Sequence, residues 1–252
     1  MRKSRYLLPF LAVFSLTTSC NFLRVANGNV FPGEYENKYT QAEDYIADFS
    51  NGFPYGFYLR NDRGNGHPFN CSFSNQNAKF ENGCMDLYLT KNNDKYIGAE
   101  LASINAYGYG YYSTFMKPSK CSGVISSFFT YTHYPSWHEI DIEFLGYDTT
   151  IVQFNHYTNG KGGHEYFYNL GFDASLDYHE YGFNWTENEI IYYVDGVAVY
   201  RTITEIPYHQ SRIMMNIWNV HDDKKEWAGK FDDSKLPINS SYKWIGYQAE
   251  IA

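Results

Sequence analysis

The 252-residue sequence is poor in basic residues, in cysteine and in long apolar runs, and each shortage excludes a class of protein. Lys and Arg number 20 against 28 Asp and Glu, and the net charge of −8, with no basic stripe, argues against a nucleic-acid partner. The four cysteines form no Cys-x-x-Cys or Cys/His cluster, so no metal site is expected. A membrane-spanning helix needs ~20 consecutive apolar residues, and no run is that long. Long helical periodicity and internal repeats are also missing.

The N-terminus has the pattern of an export signal. Three basic residues among the first five precede a short apolar run from Tyr6 to Leu16, as in a secretory signal peptide. The run ends at Leu-Thr-Thr-Ser-Cys, which resembles a bacterial lipoprotein cleavage box with Cys20 as the lipidated residue. We therefore expect residues 1–20 to form the signal, and the mature chain to be secreted or tethered outside a membrane through Cys20. Ordinary cleavage nearby, with Cys20 uninvolved, stays open.

Without Cys20, three cysteines remain, which is an odd number for an oxidising compartment. One disulfide with a free thiol fits the sequence, and so do three reduced thiols. Spacing does not decide between these states for Cys71, Cys84 and Cys121.

From about residue 51 onward the chain is a series of short β-type runs divided by turn residues, and residues 21–50 are expected to be a partly flexible leader. Asn82-Gly83 and Asp195-Gly196 each lie between two such runs, which is a strong hairpin signal. Many short strands predict one all-β domain over residues 51–252, an antiparallel sandwich or jelly roll. Examples of the runs are Met85–Thr90, Gly123–Tyr131, Thr150–Tyr157, Ile190–Val194 and Ile213–Trp218.

Three carboxylates alternate with apolar residues in the segment Trp-His-Glu-Ile-Asp-Ile-Glu-Phe-Leu-Gly, residues 137–146. In an extended strand Glu139, Asp141 and Glu143 share one face, and the apolar set faces the core. Like charges in line repel each other, so some benefit must offset that repulsion. Aromatic residues make up 20% of the chain and can stack on sugar faces, although they also pack sheets together. Paired carboxylates for acid/base chemistry on a sugar are the function that this pattern favours.

The spacing of Glu139 and Glu143 is compatible with glycoside hydrolysis. Retaining enzymes hold two carboxyl groups ~5–5.5 Å apart, and inverting ones hold them ~6.5–9.5 Å apart. Residues four apart on a strand have Cα atoms roughly 13 Å apart, a gap that leaning side chains and strand curvature can narrow. One carboxylate is then expected to stay ionised while the other keeps its proton.

The segment resembles the active-site strand of the family 16 glycoside hydrolases, and within that family the bacterial lichenases (endo-β-1,3-1,4-glucanases). The resemblance runs from about Asn65 to Tyr247. Segments that look like lichenase sequence, in the family's order, are Tyr107–Tyr112, Met116–Pro118, Ser126–Tyr131, Val152–Asn155, Tyr157–Gly160, Gly163–Glu165, Leu170–Ser175, Tyr193–Gly196 and Met214–Asn219.

This resemblance implies a concanavalin A-like β-jelly roll whose concave sheet carries an open cleft. It also implies a monomer that needs no cofactor and hydrolyses β-1,3-1,4-glucan by double displacement. Glu139 would be the nucleophile, Glu143 the general acid/base and Asp141 the assisting carboxylate. Residues implied to contact substrate are Asn65, Glu100, Phe129, Tyr131, Trp137, Gln153, Asn155, Tyr157, Asn216 and Trp218.

The sequence departs from the lichenase pattern at several positions. His138 replaces an Asp before the nucleophile, and a core-facing histidine with a local partner is the expected reading. Gly98 and Ala102 stand where the family has the disulfide partner of Cys71 and a cleft arginine. Lys243 replaces a calcium-ligating Asp, so the family's structural calcium is expected to be absent. Arg63 replaces a Tyr, and the loop between Tyr131 and Trp137 is about three residues shorter than usual.

Two other functions remain open at this point. The chain could act on a different β-glucan or transfer the glycosyl group to a sugar acceptor, because retaining enzymes pass through a covalent intermediate. The altered cleft residues also fit a glycan-binding protein that has lost efficient catalysis on the same scaffold. Retention of all three carboxylates favours the enzyme.

Overall fold

The structure, a computed structural model, describes residues 25–26, 29–30, 45–62 and 64–250. The predicted signal sequence and Cys20 lie outside these residues. The chain divides into two compact units, Met1–Glu36 and Asn37–Ala252. In the first unit β1 and β2 form a short antiparallel pair, in which Val25 faces Val30. The second unit contains all the other described elements.

The described elements are almost all β-strands. Among them, no helix is long and apolar enough to cross a membrane. The helix α1 spans Lys225–Ala228, and short 3-10 turns occur at Phe49–Asn51, Asn75–Asn77, Asp222–Lys224 and Asp233–Lys235. The strands are β1 (Val25–Ala26), β2 (Asn29–Val30), β3 (Tyr45–Asp48), β4 (Phe57–Leu59), β5 (Ser72–Phe73), β6 (Ala78–Glu81), β7 (Cys84–Asn92), β8 (Lys95–Tyr107), β9 (Gly110–Lys117), β10 (Val124–Thr132), β11 (His138–Leu145), β12 (Ile151–Thr158), β13 (Tyr166–Asn169), β14 (His179–Trp185), β15 (Ile190–Val194), β16 (Val197–Thr202), β17 (Ser211–Asn219) and β18 (Ile238–Ala249).

The strands of the second unit form two antiparallel layers joined by the β7–β8 hairpin. One layer has the order β13-β12-β11-β10-β17-β8-β4, and we call it the carboxylate sheet because it contains β11. The other layer has the order β16-β15-β14-β9-β18-β7-β6. The short strand β5 pairs with β8 in parallel. This arrangement confirms the predicted all-β jelly-roll sandwich.

The two hairpin signals in the sequence mark real turns. Asn82 and Gly83 join β6 to β7 and have φ angles of 53° and 76°. Asp195 and Gly196 join β15 to β16 with φ angles of 47° and 72°. Two successive positive φ angles define the type I′ turn, whose twist matches that of the flanking strands. The β-type runs named from the sequence likewise lie within or overlap β7, β10, β12, β15 and β17.

Strand β3 lies inside the segment that the sequence assigned to a leader. It pairs with β18, with Asp48 opposite Trp244 and Ala47 opposite Ile245. Phe49, which follows it, is buried in the main core. The sheet therefore starts before residue 51. The local sequence around β3 has no clear strand pattern, and β3 joins the sheet because it pairs with β18, a distant segment of the chain.

Aromatic side chains fill the space between the two layers. Phe144 of β11 meets Tyr181 of β14 edge-on, with ring centroids 4.8 Å apart. Two fully buried tyrosines also bond across the sandwich, since Tyr192 donates to the Asn155 carbonyl at 2.7 Å and Tyr242 to the Ser127 carbonyl at 3.0 Å. Buried tyrosine hydroxyls need such partners. Much of the aromatic content is thus structural, and these bonds fix the backbone beneath the carboxylates.

Candidate active site

Strand β11 presents its three carboxylates on the face opposite the core. Ile140, Ile142 and Phe144 are completely buried between the layers, whereas Glu139 and Glu143 are half-buried on the other face. The strand pairs with both neighbours without a register break, so the carboxylates stay in line. Glu139 lies opposite Tyr131 and Tyr157, Asp141 opposite Phe129 and Asn155, and Glu143 opposite Ser127 and Gln153.

Glu139 is held by two partners. The Trp137 indole N–H donates to Glu139 Oε2 at 2.6 Å. The same indole stacks on Tyr157, with centroids 4.5 Å apart and planes 12° from parallel, which fixes its direction. Asp141 is hydrogen-bonded to Glu139 on the other side. Two carboxyl groups can share a hydrogen bond only if one carries a proton, and burial beside two other carboxyl groups raises the pKa of Asp141.

Glu143 has a separate set of contacts. Gln153 donates from Nε2 to Glu143 Oε2 at 2.7 Å. The Gln153 oxygen in turn accepts from the Trp227 indole at 2.8 Å, which fixes the orientation of the amide. Trp227 lies on α1. Sequence reasoning missed it because no periodic pattern and none of the lichenase-like segments includes that position.

Burial changes the protonation of all three carboxyl groups. It raises the pKa of Glu139 from 4.5 to about 7, although the Trp137 and Asp141 hydrogen bonds oppose the rise. Burial, assisted by the negative charge of Glu139, raises the pKa of Glu143 to about 8. The pKa of Asp141 is raised well above its usual range by burial and by both neighbours. Of the two glutamates Glu139 has the lower pKa, because its hydrogen bonds with Trp137 and Asp141 favour its ionised form.

A row of polar side chains crosses the carboxylate sheet from Glu143 toward β4. Ser127 donates to the Asn216 oxygen, and the Asn216 amide donates to Glu100 Oε2 at 2.9 Å. Glu100 is completely buried and accepts at its other oxygen from Arg60 Nη1 at 2.7 Å. The structure thus brings the predicted residues Glu100 and Asn216 together, and it adds Arg60, which sequence reasoning missed.

The remaining predicted contact residues lie at the same sheet but differ in exposure. Phe129 packs with Ala102 and Met214, and Tyr131 borders this cluster. Asn155 is buried and accepts from the backbone N–H of His156 at 2.9 Å. Asn65 is exposed and accepts from Arg60 at 2.5 Å.

Trp218 is a predicted contact residue whose ring is covered by the chain. It is only 3% exposed, and the Phe69 ring stacks on it with centroids 3.8 Å apart. Its flat face is therefore already covered by the chain itself.

His138 points into the protein, away from the carboxylates. It is completely buried, its Nε2 lies 3.0 Å from the Ser136 hydroxyl, and its ring meets Tyr208 at 4.5 Å. Burial lowers the pKa of His138, and the nearby His209 lowers it further by a smaller amount. This agrees with the core-facing histidine expected from the sequence.

The departures at Gly98 and Lys243 each have a local structural consequence. A Cβ atom at Gly98 would lie 2.3 Å from the Ile217 carbonyl and 3.2 Å from Cys71 Sγ, so the backbone here leaves no room for a side chain. Cys71, Cys84 and Cys121 are all buried free thiols. The Lys243 ammonium lies 4.3 Å from the Tyr178 ring and 5.3 Å from the Phe115 ring.

The side chain of Lys243 offers no oxygen for a calcium ion at that position. Lysine brings no oxygen ligand, and its own positive charge already occupies the aromatic faces. Among the residues that the structure describes, no group of three or more His, Cys, Asp or Glu side chains could hold a metal ion.

A jelly roll that holds three carboxylates in line along one strand, on the face opposite the core, indicates the class of glycoside hydrolases. The chain belongs to that class: the model of glycosyl hydrolases family 16 matches residues 65–239, well over half of the sequence. The resemblance read from the sequence is therefore confirmed.

Similar proteins agree with this assignment. A "Beta-glucanase" from Paenibacillus polymyxa is 48% identical over 188 residues, which are 73% of this chain and 78% of that protein. A solved prokaryotic "beta-1,3-1,4-glucanase (lichenase)" derived from a mouse hindgut metagenome has a TM-score of 0.77 and 43% identity, covering 81% of this chain and 98% of its own. A "Xylanase/beta-glucanase" from Ruminococcus flavefaciens is 44% identical over 80% of this chain, but the match spans only 26% of that longer protein.

Proposed function

We propose that this chain is an endo-acting β-glucanase that hydrolyses β-1,3-1,4-glucan with retention of configuration. The observation that carries the proposal is the unbroken strand β11, which holds Glu139, Asp141 and Glu143 in line on the face opposite the core. The printed names of the Paenibacillus polymyxa and mouse-hindgut relatives support the choice of substrate.

In the first step Glu139 attacks the anomeric carbon of a glucosyl unit. A bond forms between the carboxylate oxygen and that carbon while the bond to the glycosidic oxygen breaks. Glu143 gives its proton to the departing oxygen, so the leaving sugar is released as a neutral alcohol. Glu139 is then esterified and Glu143 ionised.

In the second step Glu143 acts as the base. It removes a proton from a water molecule, whose oxygen attacks the anomeric carbon and displaces Glu139. Two inversions at the same carbon leave its configuration unchanged. Both carboxyl groups return to their starting protonation states, so the cycle needs no cofactor.

The neighbouring residues have distinct supporting roles in this proposal. The Trp137 N–H and the Asp141 hydroxyl stabilise Glu139 as an anion, which favours it as the leaving group in the second step. Gln153 orients the Glu143 carboxyl group through a hydrogen bond, and Trp227 in turn orients the Gln153 amide. Tyr131, Trp137 and Tyr157 supply ring surface beside the carboxylates.

The test is a product profile of the purified chain on four polymers: mixed-linkage β-glucan, laminarin, xyloglucan and carboxymethyl cellulose. We expect short oligosaccharides from mixed-linkage glucan alone. Glu139→Gln and Glu143→Gln should abolish turnover and keep binding, and Glu205→Gln, which changes a surface carboxylate paired with Lys161, serves as the matched control.

Each other outcome changes a specific part of the proposal. Cleavage of a different polymer would keep the mechanism and change the substrate. Binding without any cleavage would replace the enzyme by a glycan-binding protein. Full activity of either Gln variant would overturn the catalytic assignment.

We also propose that the chain is exported and acts outside the cell, tethered through lipid on Cys20. The basic and apolar N-terminal pattern supports this proposal. In a bacterial host the full chain should fractionate with membranes, and Cys20→Ser should move it to the soluble exported fraction. Identical fractionation of both forms would contradict the tether.

A further inference from the structure

Arg60 occupies the end of the polar row that leads away from Glu143. It directly follows β4, and its backbone N–H donates to the Glu100 carbonyl at 3.0 Å. Neighbouring strands are ~4.8 Å apart, and β10 and β17 separate β11 from β8. Glu100 on β8 is therefore roughly 14 Å from β11 across the strands. Arg60 is too distant to touch the reacting atoms. It lies at the far end of the polar row that runs across the sheet through Glu143, Ser127, Asn216 and Glu100.

The guanidinium of Arg60 has all but one of its N–H groups engaged. Nε and Nη2 both pair with Asp62, at 2.9 and 2.8 Å. Nη1 donates to Asn65 Oδ1 at 2.5 Å and to Glu100 Oε1 at 2.7 Å. Because a guanidinium has five N–H donors, one donor on Nη2 has no partner among the residues that the structure describes. The side chain is 20% exposed, so part of it is open to a ligand.

These bonds also set the direction of two residues beside Arg60. The Asn65 oxygen is turned toward Arg60, and the amide NH₂ of this exposed residue is left for another acceptor. Glu100 is completely buried, and its two oxygens are taken by Arg60 and Asn216. A buried carboxylate is costly unless it is paired and hydrogen-bonded, so Arg60 keeps Glu100 in place.

The next residue on this face of β8 brings no cation to Glu100. Ala102, the next residue on this face of β8, ends in a methyl group that packs with Phe129 and Met214. Arg212, opposite Tyr131 on β17, donates to the Tyr58 hydroxyl at 2.9 Å. The positive charge next to Glu100 therefore comes from Arg60, which follows β4, whereas position 102 lies on β8.

We propose that Arg60 is a substrate-positioning residue, which holds Asn65 and Glu100 in place and offers its remaining N–H to a sugar hydroxyl about three strands from Glu139. From its place directly after β4, it substitutes for the arginine missing at position 102. The proposal rests on the proposed β-glucanase function and extends it to a glucan chain that crosses the sheet along the polar row. Changes at Arg60 should therefore affect binding only of substrates that are long enough to reach from β11 to β8.

The test compares Arg60→Gln and Arg60→Lys with the wild type on two substrates. One is polymeric β-1,3-1,4-glucan, and the other is a short aryl β-glycoside that fills only the positions next to β11. For Arg60→Gln on the polymer we expect kcat/KM to fall about 10- to 100-fold, mainly through KM, because a charged hydrogen bond is lost. On the short substrate its kcat/KM should stay within about twofold.

Two further variants separate a role in binding from damage to the fold. Arg60→Lys keeps the charge but loses the planar fork, so its loss should be intermediate. Arg201→Gln breaks an arginine–carboxylate pair with Glu189 on the other layer and should match the wild type on both substrates. Equal losses for Arg60→Gln on both substrates would overturn the proposal, and so would wild-type kinetics on the polymer.

A binding measurement keeps this test independent of the proposed function. In the Glu139→Gln background, calorimetry with mixed-linkage oligosaccharides should give a Kd at least about tenfold higher when Arg60 is also changed to Gln. An unchanged Kd would overturn the role of Arg60. Inactivity of the wild type on every polymer would contradict the β-glucanase function, while the calorimetry would still decide the role of Arg60.

Discussion

Replacing Glu143 by Gln should make the protein more stable at high pH. In the folded chain the pKa of Glu143 rises from 4.5 to about 8, because burial and the charge of Glu139 disfavour its ionised form. The folded state therefore binds this proton more tightly than the unfolded state does. The stability that depends on it is present at low pH and is lost as the pH rises from about 4.5 to about 8.

The size of the effect follows from the same rise. At 1.36 kcal/mol per pKa unit, the ionised Glu143 costs at most roughly 4–5 kcal/mol above pH 8. Water reaches this half-buried carboxylate and screens part of that cost, so we expect about 2 kcal/mol. Gln removes the charge while keeping the shape and an amide that can still pair with Gln153. For a domain of this size, about 2 kcal/mol corresponds to roughly 4–8 °C in Tm.

The assay is denaturant unfolding of wild type and Glu143→Gln at pH 4 and at pH 9. The variant should be more stable at pH 9 and nearly equal to wild type at pH 4. Glu205→Gln is the control of opposite sign, because the Lys161 hydrogen bond lowers the pKa of Glu205. An effect of Glu143→Gln that is the same at both pH values would refute the raised pKa and remove the physical basis for Glu143 as the acid.

Three further predictions follow from the contacts around the strand and in the rest of the fold. Trp137→Phe keeps the stacking on Tyr157 but removes the N–H donor to Glu139, which should raise the pKa of Glu139. The acidic limb of the pH profile of kcat/KM should therefore move to higher pH, with about a tenfold loss of kcat/KM at pH 6. An acidic limb that stays in place would contradict this prediction. A chelator or added calcium should leave Tm unchanged within about 1 °C, since the Lys243 ammonium already lies over two aromatic rings. A rise in Tm of several degrees with calcium would contradict the expected absence of a calcium site at Lys243. Reductant should not change Tm, and a thiol reagent should modify the buried cysteines only after denaturation; rapid labelling of the native chain would contradict the burial of Cys71, Cys84 and Cys121.

The parts of the fold that sequence predicts are those with a short-range physical cause. The alternation of Glu139 to Phe144 places carboxylates and apolar groups on opposite faces because a strand has a period of two. Asn82-Gly83 and Asp195-Gly196 predict hairpins because their residues tolerate positive φ. Both causes act within a few residues, and the structure agrees with both.

The parts that sequence misses depend on contacts between distant segments. Arg60 lies 40 positions before Glu100, and only the pairing of β4 with β8 brings them together. Trp227 reaches Gln153 from 74 positions away. The cover of Phe69 over Trp218 has the same origin, so the exposure of a cleft tryptophan could not be inferred from its alternation on β17 alone.

The central claim is that Glu139 forms a covalent bond to the sugar. The most direct measurement is to incubate the chain with a slowly hydrolysed 2-deoxy-2-fluoro glycoside, digest it, and locate the added mass by peptide fragmentation. We predict the label on Glu139, with none on Asp141 or Glu143, and a β-configured product from normal turnover by NMR. A label on another residue, or no label together with an α-configured product, would contradict the account.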